Sequence, residues 1–113
     1  MEVGPGIHVA SSSSDGWVPD PEVPGTEMLE LVRRDGVWAG MTRMTEVAAP
    51  IEFTPEQRET FCVIEGRARI ELEGGAVIEV GPGDVASLPP GVATTWHITV
   101  PYRELWVFAP VED

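Results

Sequence analysis

Apolar and polar residues alternate in short runs from residue 27 to the end of the chain, and clusters of Gly, Pro and Asp separate these runs. The clearest run is RARIEL at positions 67–72, where every second residue is apolar. A period of two is typical of a half-buried strand. We therefore expect one face of this strand to be buried and the other exposed, the buried set being Ala68, Ile70 and Leu72 and the exposed set Arg67, Arg69 and Glu71.

The same pattern predicts eight strands and no long helix. Hairpin turns are expected at 34–36 (RDG) and 73–75 (EGG), because glycine adopts the positive φ that tight turns need. Only Thr54–Glu59 could form one helical turn, with Pro55 at its first position. These elements favour an all-β sandwich or closed barrel. The expected strands are Met28–Arg33, Val37–Glu46, Thr60–Glu65, Arg67–Glu73, Ala76–Val80, Asp84–Leu88, Ala93–Thr99 and Arg103–Ala109.

Residues 1–26 differ from the rest in composition. They hold four consecutive serines and a cluster of prolines at positions 19, 21 and 24, and proline interrupts both helices and central strands. We expect an extended, partly ordered N-terminal arm, pinned by Trp17 and Val18. With 113 residues, the remainder, 27–113, is long enough for one domain with a single core.

Composition excludes several classes of function. The net charge of −12 would repel nucleic acid, and no apolar run is long enough to span a membrane. Solubility is the simplest explanation for the excess of acidic residues. Attraction of a cationic ligand is the more specific alternative. The single cysteine, Cys62, excludes an internal disulfide and fits a reducing compartment. Without a basic and apolar leader at the start, the expected location is the cytoplasm.

Two spaced motifs occur in the barrel region. In the first, Glu59 is followed seven positions later by Gly66; in the second, Gly83 is followed by Pro89-Pro90-Gly91 and, three residues on, by Thr94. This arrangement resembles the paired motifs of the cupin family, whose members are small jelly-roll β-barrels. Further segments are similar to the ureidoglycine aminohydrolase-like branch of small cupins, namely Trp17, Glu59-Thr60-Phe61, Val63–Gly66, the GPGD turn, Trp96 and Arg103–Val107.

The cupin resemblance implies a metal site, but most of its ligands are missing from this sequence. Thr94 stands where the second motif has histidine, and the His-x-His pair falls on Phe53 and Pro55 or on Glu52 and Thr54. Only Glu59 matches a ligand. We therefore expect no cofactor; a divalent Mn, Fe, Ni or Zn ion, or a hard cation held by acidic oxygens of Glu52, Glu56 and Glu59, is the alternative.

The two histidines and the cysteine do not supply the missing ligands. His8 lies in the arm, far from the motifs in sequence. Neighbouring residues of a strand point to opposite faces, so if Trp96 points inward, His97 points outward. By the same argument Cys62 lies on the face opposite Glu59, and a buried inert thiol is its expected role.

The motif geometry nominates a pocket inside the barrel. Glu59, Thr94 and Trp96 are carried over from the motifs, and four further candidates are Phe53, Arg43, Arg58 and Phe61. Burial in an apolar barrel would disfavour the charged form of Glu59, which could then act as a general acid or base. The alternative for Glu59 is a structural salt bridge with one of three arginines, Arg43, Arg58 or Arg103. Trp96 could either plug the core or stack on a ligand.

The last strand is expected to lie at the surface. Arg103 and Glu104 are expected to be edge charges that discourage strand pairing between molecules. Trp38, Trp106 and Phe108 are expected to form an apolar patch, and the cupin resemblance implies a homodimer through such a surface.

The preferred function is metal-independent binding of a small molecule. The alternative is a small cupin enzyme of aminohydrolase, isomerase or lyase type that acts on a polar metabolite through Glu59.

Overall fold

The computed structural model describes residues 1–112, and all regular structure in that range is β-strand. The prediction of an all-β fold is therefore confirmed. Within these residues there is no helix long and apolar enough to cross a membrane. The strands are β1 (Glu2–Gly4), β2 (Ile7–His8), β3 (Val18–Pro19), β4 (Thr26–Arg34), β5 (Val37–Met44), β6 (Ile51–Phe53), β7 (Arg58–Leu72), β8 (Val77–Val80), β9 (Val85–Leu88) and β10 (Thr94–Ala109).

Eight of the strands form one antiparallel sheet that curls around a central core. Its main path runs β3-β4-β5-β10-β7-β8, with β6 added to β10 and β9 added to β7. The two longest strands, β7 and β10, pair along most of their length and carry the remaining strands on their flanks. This arrangement is consistent with a jelly roll, in which closure of the sheet hides the backbone edges.

The predicted hairpin at 34–36 is present between β4 and β5. Arg34 pairs with Val37, so Asp35 and Gly36 form a two-residue loop. Both residues have positive φ, 58° and 79°, as a type I′ turn requires. Glycine meets this requirement without strain, which is why an Asp-Gly pair is a strong hairpin signal.

Strands β7 and β10 are each continuous where the pattern predicted two shorter strands. The break expected at Gly66 is a bend within β7, where φ is +81° and an added Cβ would lie 2.4 Å from the Pro101 carbonyl oxygen. The β7–β10 register shifts at the same place, between Thr99 and Arg103. A bulge of this kind bends a strand without ending it.

The pattern also missed or misplaced smaller elements. The helical turn considered at Thr54–Glu59 does not form, because residues 54–57 are an irregular loop and β7 already begins at Arg58. β6 was not predicted, since three residues give too short a pattern to recognise. In the arm, β1 and β2 form a hairpin and β3 pairs with β4.

Burial confirms the predicted alternation over residues 67–70 of β7, where Ala68 and Ile70 are buried while Arg67 and Arg69 are exposed. Glu71 and Leu72 are both partly buried, so the contrast between the two faces is lost at the end of the strand. The core combines inward residues of β7 and β10 with smaller contributions from β5, β8 and β9. Its buried members are Met44, Phe61, Val63, Ala68, Ile70, Val80, Leu88, Trp96, Tyr102 and Trp106.

Candidate functional site

An open cavity of about 370 Å³ lies at one end of the barrel. Its walls come from the inward faces of β4, β5, β6, β7 and β10, and its mouth is flanked by residues 20–23 of the arm and by the loop 54–57. The volume falls at the lower end of the range usual for small-molecule sites. The barrel therefore has room for a compact organic molecule.

Aromatic rings form much of the cavity wall. Trp38, Trp96, Trp106, Phe53 and Phe108 all line it. The Trp38 ring lies 5.0 Å from that of Trp106, edge to face, and 5.5 Å from that of Phe108, stacked. These contacts hold the rings in place against one another.

All three indole N–H groups of this wall already have acceptors. Trp96 Nε1 donates to Thr94 Oγ1 at 2.9 Å, and Trp106 Nε1 donates to Thr42 Oγ1 at 2.8 Å. Trp38 Nε1 donates to a carboxylate oxygen of Glu30 at 2.9 Å. The tryptophans consequently offer a ligand their ring faces and edges, while their strongest donors are engaged elsewhere.

Glu59 places a carboxyl group in this aromatic surrounding. Its position early in β7, on the same face as Phe61 and Val63, leaves it 5% exposed. Its Oε1 has no hydrogen-bond partner among the described residues. Burial raises the pKa of Glu59 from 4.5 to about 7, because removal from water disfavours the charged form. Near neutral pH the group can therefore either hold or release a proton.

Glu104 brings a second carboxyl group to the cavity. It is also 5% exposed, and its Oε2 lacks a partner in residues 1–112. Burial raises the pKa of Glu104, and the negative charge of Glu59 raises it further. The neighbouring Tyr102 phenol lowers the pKa of Glu104. Its oxygen nevertheless has no hydrogen-bond partner of normal geometry among the described residues. Burial likewise raises the pKa of Tyr102, followed by the effect of Glu104, so the phenol stays neutral.

A family model described as the EutQ-like cupin domain matches residues 39–104, more than half of the chain. This chain belongs to the EutQ-like cupin family. The predicted membership of the cupin superfamily and its jelly-roll fold are thereby confirmed. A comparison with curated proteins found no match.

Solved structures of other cupins share the fold. A protein from Salmonella typhimurium LT2 assigned as ethanolamine utilization protein Q has a TM-score of 0.80 at 21% identity, covering 99% of this chain and 93% of its own. KdgF from a Halomonas species has a TM-score of 0.69 at 22% identity, covering 87% and 88%. The Cnp3 cupin domain of Schizosaccharomyces pombe has a TM-score of 0.71 at 14% identity, covering 89% and 72%. At these identities the likeness establishes the fold alone.

The side chains of this EutQ-like cupin do not suit the metal that the wider cupin superfamily implies. Thr94, at the histidine position, gives its hydroxyl hydrogen to the backbone oxygen of Phe53 and accepts from Trp96. Phe53 offers a ring and Pro55 no ligand at all. Among residues 1–112, no group of three or more His, Cys, Asp or Glu is arranged to hold a metal ion. Three or four converging ligands are the usual requirement, so the donor set does not fit.

The candidates chosen from the sequence divide into two groups in the structure. Glu59, Trp96 and Phe53 line the cavity, and Thr94 lies directly behind Trp96 as its hydrogen-bond acceptor. Trp96 is 6% exposed, as expected of a core plug, and it also forms part of the wall; its stacking on a ligand stays a prediction.

The other three candidates lie outside the cavity lining. Arg43 belongs to the outward face of β5, where it pairs with Glu27 at 2.9 Å and stacks on the Trp17 ring. Arg58 is exposed and donates to Ser87 Oγ at 3.0 Å. Phe61 is 1% exposed and packs behind Trp96, ring to ring at 5.0 Å. The first two miss the cavity because alternation turns them outward, and Phe61 because Trp96 covers it.

The alternative salt bridge for Glu59 does not form. Arg43 and Arg58 have the partners just described, and Arg103 pairs with Glu65 at 3.4 Å on the outer surface. His97 also lies outward, as expected, 3.2 Å from an oxygen of Glu71. Glu59 is thus left without a cationic side chain.

Sequence reasoning missed Glu104 and misplaced three aromatic residues. Trp38, Trp106 and Phe108 were expected on an outer apolar patch, but all three line the cavity. Glu104 was expected at an edge, but it faces inward. The signal was present: alternation carried from Trp96 along the even positions of β10 reaches Tyr102, Glu104, Trp106 and Phe108. Because the predicted strand ended before Pro101, the alternation was not followed into the second half of β10. The homodimer stays a prediction, now without the surface proposed for it.

Proposed function

We propose that this EutQ-like cupin binds a small organic molecule in the barrel cavity, without a metal ion. One observation carries the proposal: the cavity is open and aromatic-walled, and it contains two buried carboxyl groups, each with an oxygen that has no hydrogen-bond partner in the described part of the chain. A buried acceptor without a partner costs about 1–3 kcal/mol. A ligand or ordered water that donates hydrogen bonds would remove that penalty, and the aromatic rings would cover the apolar part of a ligand.

The test is a thermal-shift panel of small amines, alcohols, carboxylates and sugars, run on protein purified with and without EDTA. A ligand at a hundred times its Kd stabilises the folded state by about 3 kcal/mol, which is several degrees in Tm for a domain of this size. We expect such a shift for at least one class, with the same Tm in both preparations. Mass spectrometry for metals supplies the second readout.

A cavity-filling variant provides the control. Ile51 lines the cavity from β6 and is only partly buried, so Ile51→Trp should block the space while leaving the barrel intact. Ligand shifts should disappear in this variant. One equivalent of Mn, Fe, Ni or Zn, lost to EDTA together with ligand binding, would contradict the metal-independent proposal.

An enzyme is the second candidate, favoured by Glu59 alone. A carboxyl group whose pKa is near 7 in a cavity suits general acid–base chemistry, since it can both accept and return a proton at neutral pH. An aminohydrolase, isomerase or lyase acting on a small polar metabolite would use it in this way. The resemblance to ureidoglycine aminohydrolase-like cupins supports this candidate weakly, because the metal ligands of that chemistry do not fit here.

The same panel separates the two candidates. Each compound that shifts Tm is incubated with the protein and followed by NMR for conversion. Unchanged compound supports the binding function, whereas conversion that Glu59→Gln abolishes supports the enzyme. Conversion that survives Glu59→Gln would remove Glu59 from the chemistry.

A further inference from the structure

The charges that line the cavity have one sign. Of the residues that the structure describes, six acidic ones contribute to its wall or mouth and no arginine does. The arginines have other contacts: Arg43, Arg69 and Arg103 pair with carboxylates on the outer surface, and Arg58 bonds to Ser87. A concave, low-dielectric surface of one sign concentrates ligands of the opposite sign. The acidic residues are Asp20, Glu22, Glu52, Glu56, Glu59 and Glu104.

The two innermost carboxyl groups set this cavity apart from an ordinary acidic surface. Glu59 and Glu104 are each 5% exposed and each has an oxygen without a hydrogen-bond partner among the described residues. A core position needs no carboxyl group for packing, because an apolar side chain of similar size would avoid the desolvation penalty. Their burial is explained if a bound ligand supplies N–H donors and positive charge.

The aromatic wall suits the same kind of guest. Trp96 and Trp106 both line the cavity, and their N–H groups are bonded to threonines. Aromatic faces attract ammonium groups within about 6 Å of the ring centroid. Trp38 contributes less, because the Arg33 guanidinium already lies 4.6 Å from its ring centroid. An anionic ligand would find neither an arginine nor a free indole donor.

We infer that the cavity selects a small organic cation, an alkylammonium or quaternary ammonium compound, with its charged group between Glu59, Glu104 and the indole faces of Trp96 and Trp106. This inference deepens the proposed function and rests on it, because it names the chemical class of the ligand. The apolar remainder of the guest contacts Phe53 and Phe108 toward the mouth.

Binding of a cation is coupled to proton release. Burial holds the pKa of Glu59 near 7, so the carboxylate that a cation needs is about one-tenth populated at pH 6 and predominant at pH 8. Affinity should therefore rise about tenfold between these pH values. The groups facing Glu59 and Glu104 are Tyr102, which stays neutral, and the four acids of the mouth; none is basic. If the carboxyl groups instead donated hydrogen bonds as neutral acids, affinity would fall over the same interval.

The experiment compares probes of matched shape by isothermal titration calorimetry of the full chain at pH 6 and pH 8. Choline is paired with its neutral isostere 3,3-dimethylbutan-1-ol, and n-butylammonium is paired with butyrate. We expect each cation to bind at least tenfold more tightly than its partner and to release protons, measured from the heats in two buffers of different ionisation enthalpy. The proton count uses native protein and does not depend on any variant folding.

Variants localise the effect. Glu59→Gln combined with Glu104→Gln keeps the shape and removes the charge, so cation affinity should fall at least tenfold and lose its pH dependence. Glu79→Gln, on the exposed face of β8 outside the cavity, changes net charge equally per site and should leave affinity within twofold.

Each outcome decides between the two proposals. Equal or tighter binding of the neutral isostere or of butyrate overturns the cation class, while leaving the cavity as a binding site. Failure of both cations to bind at 10 mM also overturns it; if other compounds still shift Tm and Ile51→Trp abolishes those shifts, the proposed function stands. Loss of every panel shift defeats both.

Discussion

The inner and outer faces of strands β7 and β10 treat acidic residues in opposite ways. On the outer face, Glu65 pairs with Arg103, and Glu71 contacts both Arg69 and His97. On the inner face, no cationic side chain within residues 1–112 pairs with Glu59 or Glu104. Hydrogen bonding to His97 and the charge of Arg69 lower the pKa of Glu71, whereas burial raises the pKa of Glu59. The same residue type is thus paired and partly exposed on one side, and buried with a raised pKa on the other.

The largest expected effect is on the pH dependence of stability. Glu59 has a pKa of about 7 when folded and an ordinary 4.5 when unfolded. Between these values the unfolded chain loses a proton that the folded chain keeps, so the contribution of Glu59 to stability is greatest below pH 4.5 and is lost as pH rises past 7. The full difference is about 3 kcal/mol. Glu104, whose pKa is also raised, acts in the same direction.

Urea denaturation of the native chain and of Glu59→Gln from pH 4.5 to pH 8 measures this effect. We expect the variant to be the more stable at pH 8, by up to about 3 kcal/mol, with a flatter dependence on pH. Glu79→Gln is the control for general repulsion in an acidic chain. Equal slopes for the native chain and Glu59→Gln would show that the inner carboxyl is not destabilised.

A smaller effect on stability is expected from removing the partner of an inner polar group that does have one. Thr42 and Trp106 are 7% and 4% exposed, and the indole N–H donates to the threonine hydroxyl at 2.8 Å. Thr42→Val keeps the shape but leaves the indole donor without its acceptor, which should cost about 1–3 kcal/mol. Urea denaturation gives the value. Thr99→Val, at an exposed position of β10, should change stability by less than about 0.5 kcal/mol; equal losses at both sites would mean that the buried bond contributes nothing specific.

Much of the two-face arrangement of β7 could be predicted from the sequence. Residues 67–72 alternate cleanly, and the Asp35-Gly36 turn carries its own conformational requirement. The cupin resemblance implied inward positions for Glu59 and Trp96, and both line the cavity. The alternation and the turn could be predicted because each rests on a local period or a turn geometry.

The rest of the site depends on contacts between distant segments. Glu104 could be placed inward only by following one strand through Pro101, where the turn-forming residue suggested an end. Alternation alone turns Arg43 and Arg58 away from the cavity, but their partners on the outer surface, Glu27 and Ser87, lie 16 and 29 positions away and have no local signal. No local pattern shows that six acids and no arginine meet at one cavity, because convergence is a property of the closed sheet.

The smallest effect is expected on the outer face. Arg103 Nε lies 3.4 Å from Glu65, and the two side chains are 36% and 49% exposed. Water and salt screen such a pair, which contributes about 0–1 kcal/mol. A double-mutant cycle of Arg103→Gln and Glu65→Gln by urea denaturation should give a coupling below about 0.5 kcal/mol that vanishes in 1 M salt. A coupling that persisted in high salt would mean that the outer pair is as shielded from water as the inner carboxyl groups. The two faces would then differ only in whether their carboxyl groups have cationic partners.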